Sequence, residues 1–193
     1  MIHLPKILAF AGSLRSESYN KKLVRIAAEG ARQEGAEVIF IDLRDYPLPV
    51  FDEDLEARDG LHPNARRLKD LFLAHQGLLI ACPEYNSSIT AVLKNTIDWI
   101  SRPVTGEPPL NCFVDKVAAL MSASPGALGG MRGLVHVRAI LGNIQVIVLP
   151  DQIAVSKAHE TFAPDGSLKD QRQQAAVQNL GRNVAHMLSK LHA

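Results

Sequence analysis

The residues with the most chemical capacity in this sequence sit in one short loop. "GSLRSESYN", Gly12 to Asn20, gathers Ser13, Arg15, Ser18 and Asn20 directly after the apolar run Ile7 to Ala11. A planar guanidinium, several hydroxyls and an amide, followed by a helix whose first N–H groups have no partner, make a site for an anion. Ser18 is a good residue to start that helix. The pattern is neither G-x-x-x-x-G-K-[ST] nor G-x-G-x-x-G, and no lysine is placed to reach a terminal phosphate. Triphosphate and dinucleotide loops of those kinds therefore lose support. The same composition also builds a plain capped turn, so the loop alone leaves both readings open.

A second loop adds a different kind of chemistry. "CPEYNSS", Cys82 to Ser88, offers successive backbone amides and small polar side chains beside Tyr85. Such a rim hydrogen-bonds the polar edge of a planar heterocycle while the tyrosine borders a face. The plain alternative is a proline-stiffened turn into a helix, with Tyr85 packing. A third polar loop, "SASPGALGGMRG", begins at Ser122. No Ser-His-Asp or paired-carboxylate constellation appears, and His3, His62, His75, His136, His159, His186 and His192 are scattered. Cys82 reads as a small buried hydrophobe, with a redox role as the lesser reading. Arg102 and Arg132 are the loop cations placed to face an anionic substrate, although arginine is also common in ordinary interfaces.

The elements that must position these loops follow from periodicity. "KILAFAGS", "AEVIFIDL", "GLLIACP", "DKVAALMSAS" and "IQVIVLP" read as five apolar strands. Between them "NKKLVRIAAEGARQEG", "NARRLKDLFLAHQ", "TAVLKNTIDWISRP" and "GALGGMRGLVHVRAILGN" read as helices, and "LKDQRQQAAVQNLGRNVAHMLSKL" as a last amphipathic one. The prolines of "RDYPLPVFDEDLE" exclude regular structure there, and "EYNSS" reads as a loop. Strands alternating with helices predict a parallel sheet covered on both faces. In such sheets ligands bind beyond the carboxyl ends of the strands, so the loops after the first, third and fourth strands should build the site.

Composition excludes several classes. The 193 residues, 47% of them hydrophobic, suffice for one sizeable core, and a single domain is expected. Lys plus Arg number 21 against 20 Asp plus Glu, so no basic face points to nucleic acid. Two cysteines without a Cys-x-x-Cys favour a reducing compartment, and no apolar run approaches a membrane span of roughly 18 residues. A cytoplasmic protein without membrane partners is expected.

Taken together, "GSLRSESYN" and "PEYNSSITAVLKNTIDWISRP", supported by "SASPGALGGMRG", resemble the NADPH-dependent FMN reductase family. This flavodoxin-like group includes bacterial quinone and chromate reductases and azoreductase-like enzymes. The resemblance implies an α/β fold with a five-stranded parallel sheet, order 2-1-3-4-5, and helices on both faces. It implies FMN as cofactor, NADPH or NADH as co-substrate, a small-molecule electron acceptor such as a quinone, a flavin or chromate, and a homodimer or homotetramer. Carried over residue by residue, Ser13, Arg15, Ser18 and Asn20 hold the 5′-phosphate, with the amides of Leu14 and Tyr19 nearby. Pro83, Glu84, Tyr85 and Asn86 line the isoalloxazine chiefly through backbone, where amides stabilise negative charge on the reduced ring. Ser122, Ala123 and Ser124 close its other side, although some relatives carry a hydroxyl at the position of Ala123. No side chain need be catalytic, because the cofactor carries the chemistry; Tyr85 gates or stacks on the second substrate. Trp99, Ile97 and Ile100 serve either the core or a subunit interface. The main alternative is a flavodoxin-like electron carrier, a class that tends to be acidic, whereas this chain has a formal charge of +1. A non-enzymatic flavin-binding sensor ranks last.

Overall fold

A computed structural model describes residues 4–191, so His3 and His192 lie outside the described residues. The chain opens with β1 (Lys6–Ala11), α1 (Tyr19–Gln33) and β2 (Glu37–Ile41), then a single 3-10 turn and α2 (Glu53–Asp59). Next come α3 (Pro63–Ala74), β3 (Gly77–Ala81), the short strands β4 (Glu84–Tyr85) and β5 (Ser88–Ile89), and α4 (Ala91–Ile100). β6 (Val117–Ala123), α5 (Met131–Asn143), β7 (Ile147–Val155), α6 (Ala158–Thr161) and α7 (Gln171–Leu191) complete it.

Five strands make one parallel sheet in the order β2-β1-β3-β6-β7. Because β4 and β5 form a separate antiparallel ribbon, this is the expected 2-1-3-4-5 order. β3 and β6 are buried at every residue, as strands covered on both faces must be. On one face Ala9, Ala11, Leu79 and Ala119 pack against Leu23 and Ala27 of α1 and Val184 and Leu188 of α7. On the other, Phe10, Ile80 and Leu120 meet Leu68 and Phe72 of α3, Ile97 of α4 and Leu134 of α5. α1 and α7 cross at backbone contact: a Cβ on Gly30 would lie 2.0 Å from the Gln178 carbonyl oxygen, and one on Gly181 1.8 Å from that of Ala27.

The structure corrects several local expectations. The "RDYPLPVFDEDLE" stretch is not wholly irregular. Pro47 and Pro49 do interrupt it, but Asp52 then accepts from the amides of Asp54 and Leu55 and starts α2. The "EYNSS" loop is a β-ribbon, with Asn86 (φ 51°) and Ser87 (φ 65°) as its left-handed two-residue turn. β7 begins later than expected and runs past Pro150; a register shift opposite Ala118 to Leu120 accommodates the proline on this edge strand. The helix expected from Gly126 starts only at Met131. Ile97, Trp99 and Ile100 are core rather than interface: Trp99 is 1% exposed, donates its indole N–H to the Pro49 carbonyl at 2.8 Å, and meets Phe51 edge-on.

Candidate functional site: a polar pocket at three strand ends

Parallel strands deliver the loops after β1, β3 and β6 to one end of the sheet, and there they enclose a pocket of about 80 Å³. Ser13, Arg15, Ser18, Tyr19 and Asn20 line it from the first loop, Pro83, Glu84 and Tyr85 from the second, and Ala123, Ser124 and Pro125 from the third. Ten of the thirteen expected site residues thus meet at one place, and Pro125 joins them unforeseen. Three do not line it. Leu14 borders a neighbouring apolar groove with Leu48 and Val92. Asn86 sits in the tip of the ribbon. Ser122 is fully buried beneath the pocket, where its hydroxyl donates to the Cys82 carbonyl at 2.7 Å.

The polar groups in the pocket divide into those already bonded and those still free. Asn20 belongs to the first kind. Its Nδ2 donates to the Ala123 carbonyl at 2.8 Å and its Oδ1 accepts from the Ala123 amide at 3.0 Å. Extending the β3–β6 register from Ala81 opposite Met121 by two residues would put Pro83 opposite Ala123, but the chain has turned away there. The Asn20 carboxamide takes over the missing strand's hydrogen bonds, so it is a tie between loops more than an anion ligand. Thr90, which sequence reasoning missed, makes a similar tie. Its hydroxyl donates to the Gly12 carbonyl at 2.7 Å and accepts from the Leu93 amide to start α4.

The free groups are those suited to an anion. Among the described residues the Arg15 guanidinium has no hydrogen-bond or ion-pair partner, and its side chain is exposed at the pocket mouth. Ser18 starts α1 with extended backbone yet makes no side-chain capping bond, which leaves its buried hydroxyl to the pocket. Ser13 Oγ accepts from the Arg15 amide at 3.3 Å and keeps its own proton. Among the described residues the amides of Leu14, Tyr19, Asn20 and Lys21 find no acceptor. Unpaired amides, the positive end of α1 and one guanidinium all favour a single anionic group. Tyr19 walls one side, stacked on Phe162 at 5.4 Å.

The one carboxylate in the lining does not oppose that charge. Glu84 Oε1 accepts from Arg132 Nε at 2.8 Å, and Oε2 accepts from the amides of Arg132 and Gly133 at 3.0 and 3.2 Å. Burial works against its ionisation, but the Arg132 hydrogen bond and the two amides outweigh it and hold the carboxyl below its usual range. Arg102 is likewise committed, donating to Glu56 at 2.7 Å over the Phe51 ring. Both arginines are thus ion-paired within the chain.

Among the described residues no histidine lines the pocket. His62 accepts from the Asn64 amide to start α3, His75 is buried against Leu71, and His136 bonds Ser88. The Cys82 thiol is fully buried and desolvation pushes its pKa up, away from redox reactivity. Among the described residues no cluster of His, Cys, Asp or Glu could hold a metal, and no helix is long and apolar enough to cross a membrane. A larger cavity of about 610 Å³ lies between β7, α7 and the end of α1. It is away from the strand ends, and two of its polar groups are already engaged, Asn183 with Asp151 and Arg182 with Gln33.

Comparison with known proteins identifies the family. The profile of the NADPH-dependent FMN reductase family matches residues 5–160. A probable NADPH:quinone oxidoreductase of Oryza sativa is 37% identical over 86% of this chain and 79% of its own length. An NAD(P)H-dependent FMN reductase of Pseudomonas aeruginosa is 36% identical over 90% and 89%. Among solved structures, FerB of Paracoccus denitrificans, a flavoenzyme NAD(P)H:(acceptor) oxidoreductase, superposes with a TM-score of 0.80 at 28% identity, covering 97% of this chain and 98% of that one. An archaeal flavodoxin shares the fold alone, with a TM-score of 0.61 at 8% identity. The loops that meet at the pocket are those whose sequences carried the resemblance, and with the matching profile they establish that the chain belongs to the NADPH-dependent FMN reductase family.

Proposed function

We propose that this protein takes two electrons from NAD(P)H and passes them by way of FMN to a small oxidised acceptor, with quinones favoured over free flavin or chromate. The observation that carries the reading is the set of uncommitted donors, Arg15, Ser18 and the first amides of α1, in a pocket at the ends of three parallel strands. A cavity of about 80 Å³ suits a phosphate group and not a whole flavin. Arg15, Ser13 and Ser18 would therefore hold the 5′-phosphate, while Pro83, Glu84 and Tyr85 would border the ring along the rim with Ala123 and Ser124 opposite.

When bound, FMN would supply the two-electron transfer that no side chain here can perform. The protein's part is to orient it and to meet its changing charge. The amides of Asn86 and Ser87, which have no acceptor among the described residues, are donors available to negative charge at the rim. Tyr85 is 56% exposed there and would border the face shared in turn by NAD(P)H and acceptor. The preference for quinones draws on the relatives, among them a 2-hydroxy-1,4-benzoquinone reductase of Burkholderia at 33% identity over 75% of this chain. Cytoplasmic residence is part of the proposal, and two free, buried cysteines fit a reducing compartment. So is a homodimer or homotetramer, for which Leu128, Met131 and Val135 are exposed apolar side chains near the rim.

Mixing the FMN-loaded protein with NADPH in the absence of air tests the enzyme reading. The yellow colour should bleach, and added benzoquinone should restore it. A flavin that binds but does not bleach would leave an electron carrier and refute the reductase.

A further inference from the structure

Helix α5 begins without a cap of its own. Its first flanking residue, Gly130, sits at φ 90° and has no side chain to offer. It can have none, because a Cβ there would lie 2.0 Å from Ser122 Oγ, the hydroxyl that holds the Cys82 carbonyl under the rim. The missing acceptor comes from Glu84, nearly fifty residues earlier. Its carboxylate accepts the Arg132 and Gly133 amides and the Arg132 side chain, and only 8% of that side chain is exposed. One turn further along α5, His136 Nδ1 lies 2.9 Å from Ser88 Oγ on the other strand of the ribbon. The ribbon is thus fastened to α5 by both of its strands. Pro83 and Tyr85, on either side of Glu84, line the pocket together with it.

We propose that Glu84 is a positioning residue for the flavin ring: by bonding the start of α5 it fixes the Pro83–Tyr85 backbone at the pocket, so that α5 sets the shape of the rim. This rests on the flavin reading of the pocket. Its chemistry differs from that of the phosphate donors, since Glu84 acts only through backbone that borders the ring. The two effects separate when FMN is compared with riboflavin, which has the ring and no phosphate.

The test is titration of flavin-free protein with FMN and with riboflavin, together with the visible absorption and circular dichroism of the bound flavin. Glu84→Ala should weaken both ligands about equally, by about tenfold, the size expected when a charge-assisted contact is lost. It should also shift the visible bands, which a remote packing defect would not. Glu84→Gln keeps an oxygen to accept from the α5 amides and should recover much of the affinity. Arg132→Ala loosens the same link from the other side and decides the matter should Glu84→Ala not fold. A folded Glu84→Ala, or failing it a folded Arg132→Ala, that binds both flavins within about twofold of wild type and with unchanged spectra overturns the role. If the wild-type protein binds neither flavin, the flavin reading itself has failed.

Discussion

Asn20 looks in the sequence like one more phosphate donor, yet the structure gives it a different duty, and Asn20→Ala separates the two. Truncation strands the Ala123 N–H and C=O, both bonded to the Asn20 carboxamide in a buried setting, with Asn20 4% and Ala123 4% exposed. A buried polar group left without a partner costs about 1–3 kcal/mol, so the pair should cost about 2–6 kcal/mol. The change also removes a poor helix former from the first turn of α1, which returns about 0.5 kcal/mol at most. The net loss is a large share of an ordinary domain's stability of roughly 5–15 kcal/mol. Urea unfolding of flavin-free protein measures it without any ligand, so a phosphate donor with no structural duty would leave the midpoint where it was. Asn20→Asp should be no better at neutral pH, because one oxygen would still accept from the Ala123 amide while the other faced its carbonyl. A loss below about 0.5 kcal/mol for Asn20→Ala, the scatter of ordinary surface changes, would refute the tie.

Two further outcomes follow from the same geometry. Gly130→Ala combines a left-handed backbone with a Cβ 2.0 Å from Ser122 Oγ, and should cost about 2 kcal/mol or more in urea unfolding. Adding Ser122→Gly should restore part of that, and no recovery would mean the contact is not the cause. Glu107 is held at about 2, against an ordinary 4.5, by hydrogen bonds from Asn111 and Arg66, and Lys69 pairs with it too. A depressed carboxyl stabilises the fold above its ordinary pKa, and that stabilisation is lost as pH falls from about 4.5 toward 2. Urea midpoints across that interval should fall less steeply for Glu107→Gln than for wild type; parallel curves would show that the carboxyl contributes nothing.

Much of this was legible in the sequence because it rests on periodicity. The central strands are unbroken apolar runs, their order follows from the family pattern, and parallel strands must bring the loops beginning near Gly12, Pro83 and Ser122 to one end. What was not legible is which polar atom each side chain meets. Arg15 and Asn20 are five residues apart, and nothing in their types says that one is free and the other bonded to β6, over a hundred residues away. The ribbon was missed because two-residue strands carry no period, although an asparagine in a two-residue turn was a signal for it. α2 was hidden by the prolines just before it, while Asp52 followed by Glu53, Asp54 and Glu56 was an available helix-start pattern.

The division between bonded and free groups means that a ligand would find the pocket largely ordered in advance. A loop that must be ordered by its ligand subtracts that ordering from the affinity. Here the first loop is bonded to α4 by Thr90 and to β6 by Asn20, the second to β6 by Ser122 and to α5 by Glu84, and the third to β7 through the Ser124 amide and the Val155 carbonyl. Most of these bonds end on backbone atoms that a ligand would otherwise have to satisfy. The donors left over, Arg15, Ser18 and the α1 amides, would therefore meet a phosphate with little still to be ordered except the Arg15 side chain itself. Arg15→Ala should then lower FMN affinity by the value of one charge-assisted contact, roughly tenfold, and leave riboflavin binding alone. Equal weakening of both flavins would mean that Arg15, too, shapes the pocket instead of holding the phosphate.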